Sequence, residues 1–199
     1  MQAITIVFVG TLLGLIALAL LPIERWRWTS VSLAECLVFL AVGALAASRF
    51  GRHRWRRTLG DLPGPPDMAI GLAAGLIGAA VSYSYVRLLA GDSAELDPSE
   101  ESVLQGLVAF ALLPAIFEEW LCRGVLWEAS RRIVPTLGTI LITAGLFALL
   151  HVPLAGGWAL APHRFVLGSL LGWSRARSDS LLPAMGGHAL HNALFVVAV

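Results

Sequence analysis

The chain has 199 residues, of which 57% are hydrophobic and 14% charged, with a formal net charge of +1 and a mean hydropathy of +0.78. Ordinary globular domains carry about 25% charged residues, so this composition excludes a soluble domain and describes a polytopic membrane protein. The near-neutral balance gives no electrostatic basis for nucleic-acid binding.

Seven apolar segments follow in chain order: Ala3–Leu21, Val31–Ala47, Met68–Ala90, Val103–Trp127, Thr136–His151, Phe165–Trp173 and Leu181–Val199. They predict an all-α fold, a polytopic transmembrane bundle of six to seven helices forming a single membrane domain over residues 1–199. The first segment lacks the basic flank of a secretory signal and reads as a retained transmembrane helix. The third carries Gly71, Gly75 and Gly78 at the spacing that lets helices approach closely in lipid. The sixth is short and is expected to extend back through Trp158–Ala161, or to tilt or re-enter. Cys36 and Cys122 both fall in apolar segments and read as small buried hydrophobes, not as a disulfide framework.

Arginine sets the expected orientation. All 14 basic residues are Arg, a bias that suggests a GC-rich bacterial genome and hence the inner, cytoplasmic membrane. Arg49, Arg52, Arg54, Arg56 and Arg57 follow the second segment, Arg131 and Arg132 the fourth, and Arg175 and Arg177 the sixth. Between them lie an acidic loop (Asp92, Glu95, Asp97, Glu100 and Glu101), read as a solvated connector, and the weakly basic pair His163 and Arg164. The positive-inside rule then puts the N-terminus in the cytoplasm and the acidic loop outside.

Glu118-Glu119-Trp120-Leu121-Cys122-Arg123 is the most informative stretch, because the run from Val103 to Trp127 holds no other ionisable residue. A helix of that length is ~37 Å long, more than the ~30 Å hydrocarbon core. One charge near mid-span costs roughly 2.5–3.5 kcal/mol, so three clustered ones need partners, water or a function. Residues four apart lie about 40° apart around a helix, so Glu119 and Arg123 can pair. Glu118 points about 100° away and is free to face a cavity, where a carboxylate without a counter-ion suits a general base. The bland alternative is a protonated Glu118 that only bonds another helix.

Two more polar clusters follow. Phe147 and His151 share a face just before Pro153, which ends a helix, and a lone His at such an end is ordinarily structural. His188 and Asn192 share a face in the last segment, with His191 close to it, and Asn192 is the only Asn in the chain. Gly186-Gly187 just upstream admits a close approach by another backbone. Glu118 lies about 20 Å along its helix from Arg131 and His151 about 22 Å from Thr136. His188 lies only about 10 Å from Leu181 and needs tilt or a late helix start to reach the same depth.

In order, Glu118-Glu119-x-x-x-Arg123, Phe147-x-x-x-His151 and His188-x-x-x-Asn192 resemble the three motifs of the CAAX proteases and bacteriocin-processing enzymes, the Abi or type II CAAX prenyl endopeptidase-like family. The likeness runs from Leu113 to Phe195 and includes Arg123-Gly124 and the glycines Gly168 and Gly172. Cys122 departs from the aromatic that relatives often carry there. Residues 101–199 would be the catalytic core, with the helices of residues 1–100 outside the likeness. The resemblance implies an intramembrane endopeptidase in which Glu118 and His151 activate water. His188 and Asn192 would stabilise the oxyanion, and Glu119 with Arg123 would hold the helix.

The expected partners are the lipid bilayer and a membrane-anchored protein or peptide substrate, such as a C-terminal anchor or a precursor peptide. A sorting role like that of myxosortases, small members of the same family, fits that substrate class. No cofactor is expected. A Zn²⁺ on Glu118, His151 and His188 stays open, although no H-E-x-x-H is present and a metal-independent reaction is favoured. The competing readings are a non-catalytic immunity or scaffold protein and a small proton-coupled carrier using Glu118.

Overall fold

The computed structural model describes residues 2–20, 28–49, 59–90, 102–152 and 157–197. Arg52 to Arg57, the acidic loop at 91–101 and Pro153 lie outside the described residues. Seven helices are formed there, each on one expected apolar segment. They are α1 (Gln2–Ala19), α2 (Trp28–Ala47), α3 (Pro65–Ala90), α4 (Val103–Ser130), α5 (Thr136–Leu150), α6 (Ala161–Ser178) and α7 (Leu182–Val197). The architecture is the all-α membrane bundle that composition implied. Among the described residues, α2, α3 and α4 contain stretches long and apolar enough to cross a membrane. Parts of α1 and α5 are shorter apolar helices.

The sixth segment does extend backwards. A 3₁₀ turn at Gly157–Leu160 leads into α6 at Ala161. His163 and Arg164 therefore sit in the first turn of a helix and not in a connecting loop, and Arg175 and Arg177 sit in its last turn.

Small residues fix how closely the helices meet. On α1, Gly10 and Gly14 receive Val42 and Val38 of α2. Backbone meets backbone between α3 and α7: Gly71 lies on Pro183, and Gly75 lies on Gly187. A Cβ at Gly71 or Gly75 would overlap the facing carbonyl, so the glycine face of α3 is a packing surface. Gly172 of α6 is close to Ile140 of α5 in the same way. Apolar side chains including Val7, Leu15, Phe39, Leu121, Phe147 and Leu171 fill the space between helices.

The start of α7 is sunk into the bundle. Asp179 ends α6 in the left-handed region at φ 46°. Residues 59–61 then cover the turn through Leu181 N–H to Leu59 O (3.0 Å) and Asp61 N–H to Asp179 O (3.1 Å). Ser180 and Leu181 are consequently buried. This late, internal start supplies the depth that His188 needed.

α4 is one continuous helix interrupted by two π-helical stretches, Leu107–Leu112 and Trp120–Leu126. Pro114 explains the first, because it has no N–H to give the Phe110 carbonyl four residues back. Carbonyls of these stretches accept side chains from three other helices: Ser32 Oγ to Ala109 O (2.5 Å), Asn192 Nδ2 to Phe110 O (3.0 Å) and Arg175 Nε to Arg123 O (3.2 Å). No lipid-side water exists to satisfy such groups, so the neighbouring helices do it.

Gly75→Leu is expected to lower the melting temperature in detergent, since overpacking a tight contact costs about 1–3 kcal/mol and each kcal/mol is worth roughly 2–4 °C here. Gly145→Ala, whose new methyl would meet only Phe165 at 4.0 Å, leaves the melting temperature unchanged or slightly raised. Equal melting of Gly75→Leu and wild type would show that the α3–α7 contact is not the close packing described.

Candidate active site

The three polar clusters converge, although they reach the same place by different routes. Successive helical residues diverge by about 100°, so Glu118 faces a cavity while Glu119 turns into the protein. Glu119 and Arg123 are fully buried and paired at 2.8 Å between Arg123 Nη1 and Glu119 Oε1. Arg123 Nη2 also donates to the Gly168 carbonyl at 2.7 Å. A side chain at Gly168 would meet both Arg123 and the Ala144 backbone at 3.0 Å, so a glycine is needed where α6 crosses this pair.

Glu119 has a second partner that helical spacing within α4 could not indicate. His188 Nδ1 lies 2.9 Å from the same Oε1 atom. A carboxylate already bonded by a guanidinium accepts, so Nδ1 carries the proton and the other ring nitrogen of His188 is left for the cavity, which this residue lines. Glu119 thus orients His188 as well as pairing with Arg123.

His151 closes the last turn of α5, and its Nδ1 lies 2.7 Å from the Phe147 carbonyl. A carbonyl only accepts, so Nδ1–H is the donor and Nε2 faces Glu118 Oε2 at 3.4 Å. That separation is long for a hydrogen bond, and Glu118 Oε2 has no bonded partner. Nε2 and Oε2 are left as two acceptors facing one another, a pair that a bridging water or proton could join. The Phe147 ring stands between the two imidazoles, at 4.8 Å from His151 and 5.5 Å from His188 between ring centroids. Arg123 lies over the face of the same ring at 4.8 Å.

Asn192 is held at both ends of its amide. Nδ2 donates to Phe110 O, and Oδ1 accepts from His191 Nδ1 at 2.8 Å. His191 Nε2 in turn accepts from Ser82 Oγ of α3 at 3.1 Å. One N–H of the Asn192 amide remains uncommitted by this network.

These residues line a cavity of about 510 Å³ between α2, α3, α4, α5, α6 and α7. Glu118, His151, His188 and Asn192 all face it, and Glu119 and Arg123 lie behind its wall. Two further charged groups belong to it. Glu35 of α2 is half-buried and, among the described residues, is held by no hydrogen bond or ion pair. Arg164 of α6 lines the same cavity, within electrostatic range of both Glu118 and Glu35. Sequence reasoning passed over Glu35, although it is the only carboxylate in the apolar run Val31–Ala47, a signal that marks a functional position by default. Arg164 was hidden by its apparent place in a loop.

Among the described residues no group of three His, Cys, Asp or Glu side chains is placed to hold a metal ion. Cys36 and Cys122 are free, buried thiols, as expected of small hydrophobes.

Residues 100–194 match the family model described as type II CAAX prenyl endopeptidase Rce1-like, a segment that contains every member of the three motifs. No curated protein and no solved structure is significantly similar to the chain.

Arg123→Met is expected to destabilise the fold by about 3–5 kcal/mol, because it leaves Glu119 charged and buried with only His188 beside it. Thermal unfolding in detergent reads this as a large drop in melting temperature. Glu118→Gln, which faces the cavity, melts close to wild type. The reverse order would show that Glu118, not Glu119, is the structural carboxylate.

Proposed function

We propose that this protein, Rce1-like over residues 100–194, is an intramembrane endopeptidase that hydrolyses a peptide bond near the membrane surface. One observation carries the reading: a carboxylate–imidazole pair, Glu118 and His151, faces the same cavity as the polar groups His188 and Asn192. Hydrolysis needs a base on one side of a carbonyl and donors on the other, and this cavity has both.

In the proposed reaction, water between Glu118 and His151 loses a proton to that pair while its oxygen attacks the carbonyl carbon. The C=O electrons move to oxygen. His188, oriented by its Nδ1 contact with Glu119, and the free N–H of Asn192 face that oxyanion and stabilise it. The tetrahedral intermediate then collapses: the C–N bond breaks, and the proton held by the Glu118–His151 pair passes to the leaving amine. Preorganised donors in a water-poor site oppose the developing charge, and removing one costs about 10²–10³ in rate in comparable sites. Glu119, Arg123 and Phe147 are positioning residues that hold these groups in place.

The substrate is a membrane-anchored protein or a peptide, and a C-terminal anchor or precursor segment fits the cavity's position within the bundle. The reading requires no metal.

Cleavage of C-terminal anchor peptides in reconstituted vesicles tests this. Wild type is expected to cleave with or without a strong chelator, and Glu118→Gln is expected to lose cleavage while still folding. Asn192→Ala should retain binding and lose about 10²–10³ in kcat. Cleavage abolished by chelator and restored by Zn²⁺ would replace the water-activation scheme with a metal one. Full complementation of a gene deletion by Glu118→Gln would favour a scaffold, and pH-dependent flux altered in that variant would favour a carrier.

A further inference from the structure

The cavity lies at one end of the bundle. Adjacent helices run in alternating directions, yet the lining comes consistently from one end: Ser32 and Glu35 from the beginning of α2, Tyr83 and Arg87 from the end of α3, and Arg164 from the beginning of α6. On α4 the lining runs from Phe110 to Glu118, on α5 it is confined to Phe147 and His151 at the end, and on α7 it begins at His188.

The arginines concentrate at the opposite end. Arg49, Arg52, Arg54, Arg56 and Arg57 follow the end of α2, Arg131 and Arg132 follow the end of α4, and Arg175 and Arg177 lie at the end of α6. Among the described residues, the arginines at the cavity end are Arg87 and Arg164, and both line the cavity; in the sequence, Arg25 and Arg27 fall between α1 and α2. The carboxylates Asp92, Glu95, Asp97, Glu100 and Glu101 belong, by connectivity, to the cavity end as well. Short loops rich in Arg stay in the cytoplasm.

We infer that the cavity opens on the face of the membrane opposite the cytoplasm, so that a substrate must be presented from that side. That it is a proteolytic substrate rests on the function proposed above; the direction of opening does not. The substrate class is then a polypeptide already translocated, whose segment for cleavage enters at the outer surface. Among the described residues the far end is tightly packed, with the α3–α7 backbone contact at Gly71 and Pro183 and the buried turn at Ser180 and Leu181.

Cysteine labelling with a membrane-impermeant thiol reagent tests the inference in intact cells stripped of outer wall layers. Val103→Cys reports the cavity end, Tyr83→Cys the cavity rim and Leu62→Cys the opposite end, all three positions being exposed. The parent chain, with Cys36 and Cys122 buried, gives the background. Val103→Cys and Tyr83→Cys are expected to label in intact cells, and Leu62→Cys only after permeabilisation. The inverted pattern would overturn the inference, as would a Tyr83→Cys that labels only after permeabilisation or not at all while Val103→Cys reacts from outside. Labelling needs no turnover, so a Glu118→Gln background must give the same pattern. Inverted labelling with intact proteolysis would sink the sidedness alone, whereas correct labelling with no effect of Glu118→Gln on cleavage would sink the protease reading alone.

Discussion

The Oε1 atom of Glu119 is the point on which the rest of the structure depends. It accepts from Arg123 on its own helix and from His188 on the last one, at 2.8 and 2.9 Å, with both carboxylate and guanidinium fully buried. Arg123 then reaches Gly168 on α6, so one buried charge centre ties together three helices. A buried ion pair is weak evidence for stability, because desolvation consumes much of the attraction. Its value here is specificity of register. Sliding α7 by one turn would remove His188 from Glu119 and leave its imidazole N–H without that acceptor in an apolar interior. The same register brings Asn192 to the Phe110 carbonyl and His191 to Ser82.

The π stretches of α4 serve the same end. A regular helix keeps its carbonyls for itself, and in lipid it has little reason to share them. Widening the helix on either side of Leu113–Glu119 leaves Ala109, Phe110 and Arg123 with carbonyls that α2, α7 and α6 can address. Pro114 accounts for the first widening directly, by removing a donor. The segment that carries both glutamates is therefore anchored above and below by bonds to other helices. Irregular backbone of this kind is common where a helix must hold functional groups in a fixed direction.

Much of the fold was legible in the sequence because membrane helices announce themselves by length and hydropathy. All seven apolar segments became helices, and the different directions of Glu118 and Glu119 followed from helical geometry alone. The contacts of α3 at Gly71 and Gly75 were readable as packing for the same reason. What stayed hidden depends on three-dimensional pairing. The second partner of Glu119 is 69 residues away, and no periodicity within α4 points to it. The depth of His188 could not be counted from Leu181, because the buried turn at Ser180 starts α7 inside the bundle. Glu35 was legible in principle, as a lone carboxylate in an apolar segment, but its company in the cavity comes from five other helices. Arg164 and His163 read as a polar connector because a low-hydropathy first turn has the composition of a loop.

Under the proposed function, the two ends of the bundle divide the labour that hydrolysis inside a membrane imposes. Water and peptide must reach a buried carboxylate, yet the groups around it must stay fixed to be worth more than bulk solvent. At the arginine-rich end, among the described residues, side-chain pairs such as Arg175 with Asp179 and Arg131 with Glu128, at 3.0 and 3.3 Å, join the backbone contacts of α3 and α7 in making a well-bonded floor. At the other end the helices part around the cavity, and its rim carries exposed Tyr83 and the Arg87 that bonds it at 3.2 Å. The pairs at Glu119 and Asn192 lie between these regions and fix the cavity-facing side chains from behind. An enzyme built this way admits its substrate from one side while its rigidity comes from the other, so loosening the floor should impair positioning of His188 and Asn192 before it alters access to Glu118.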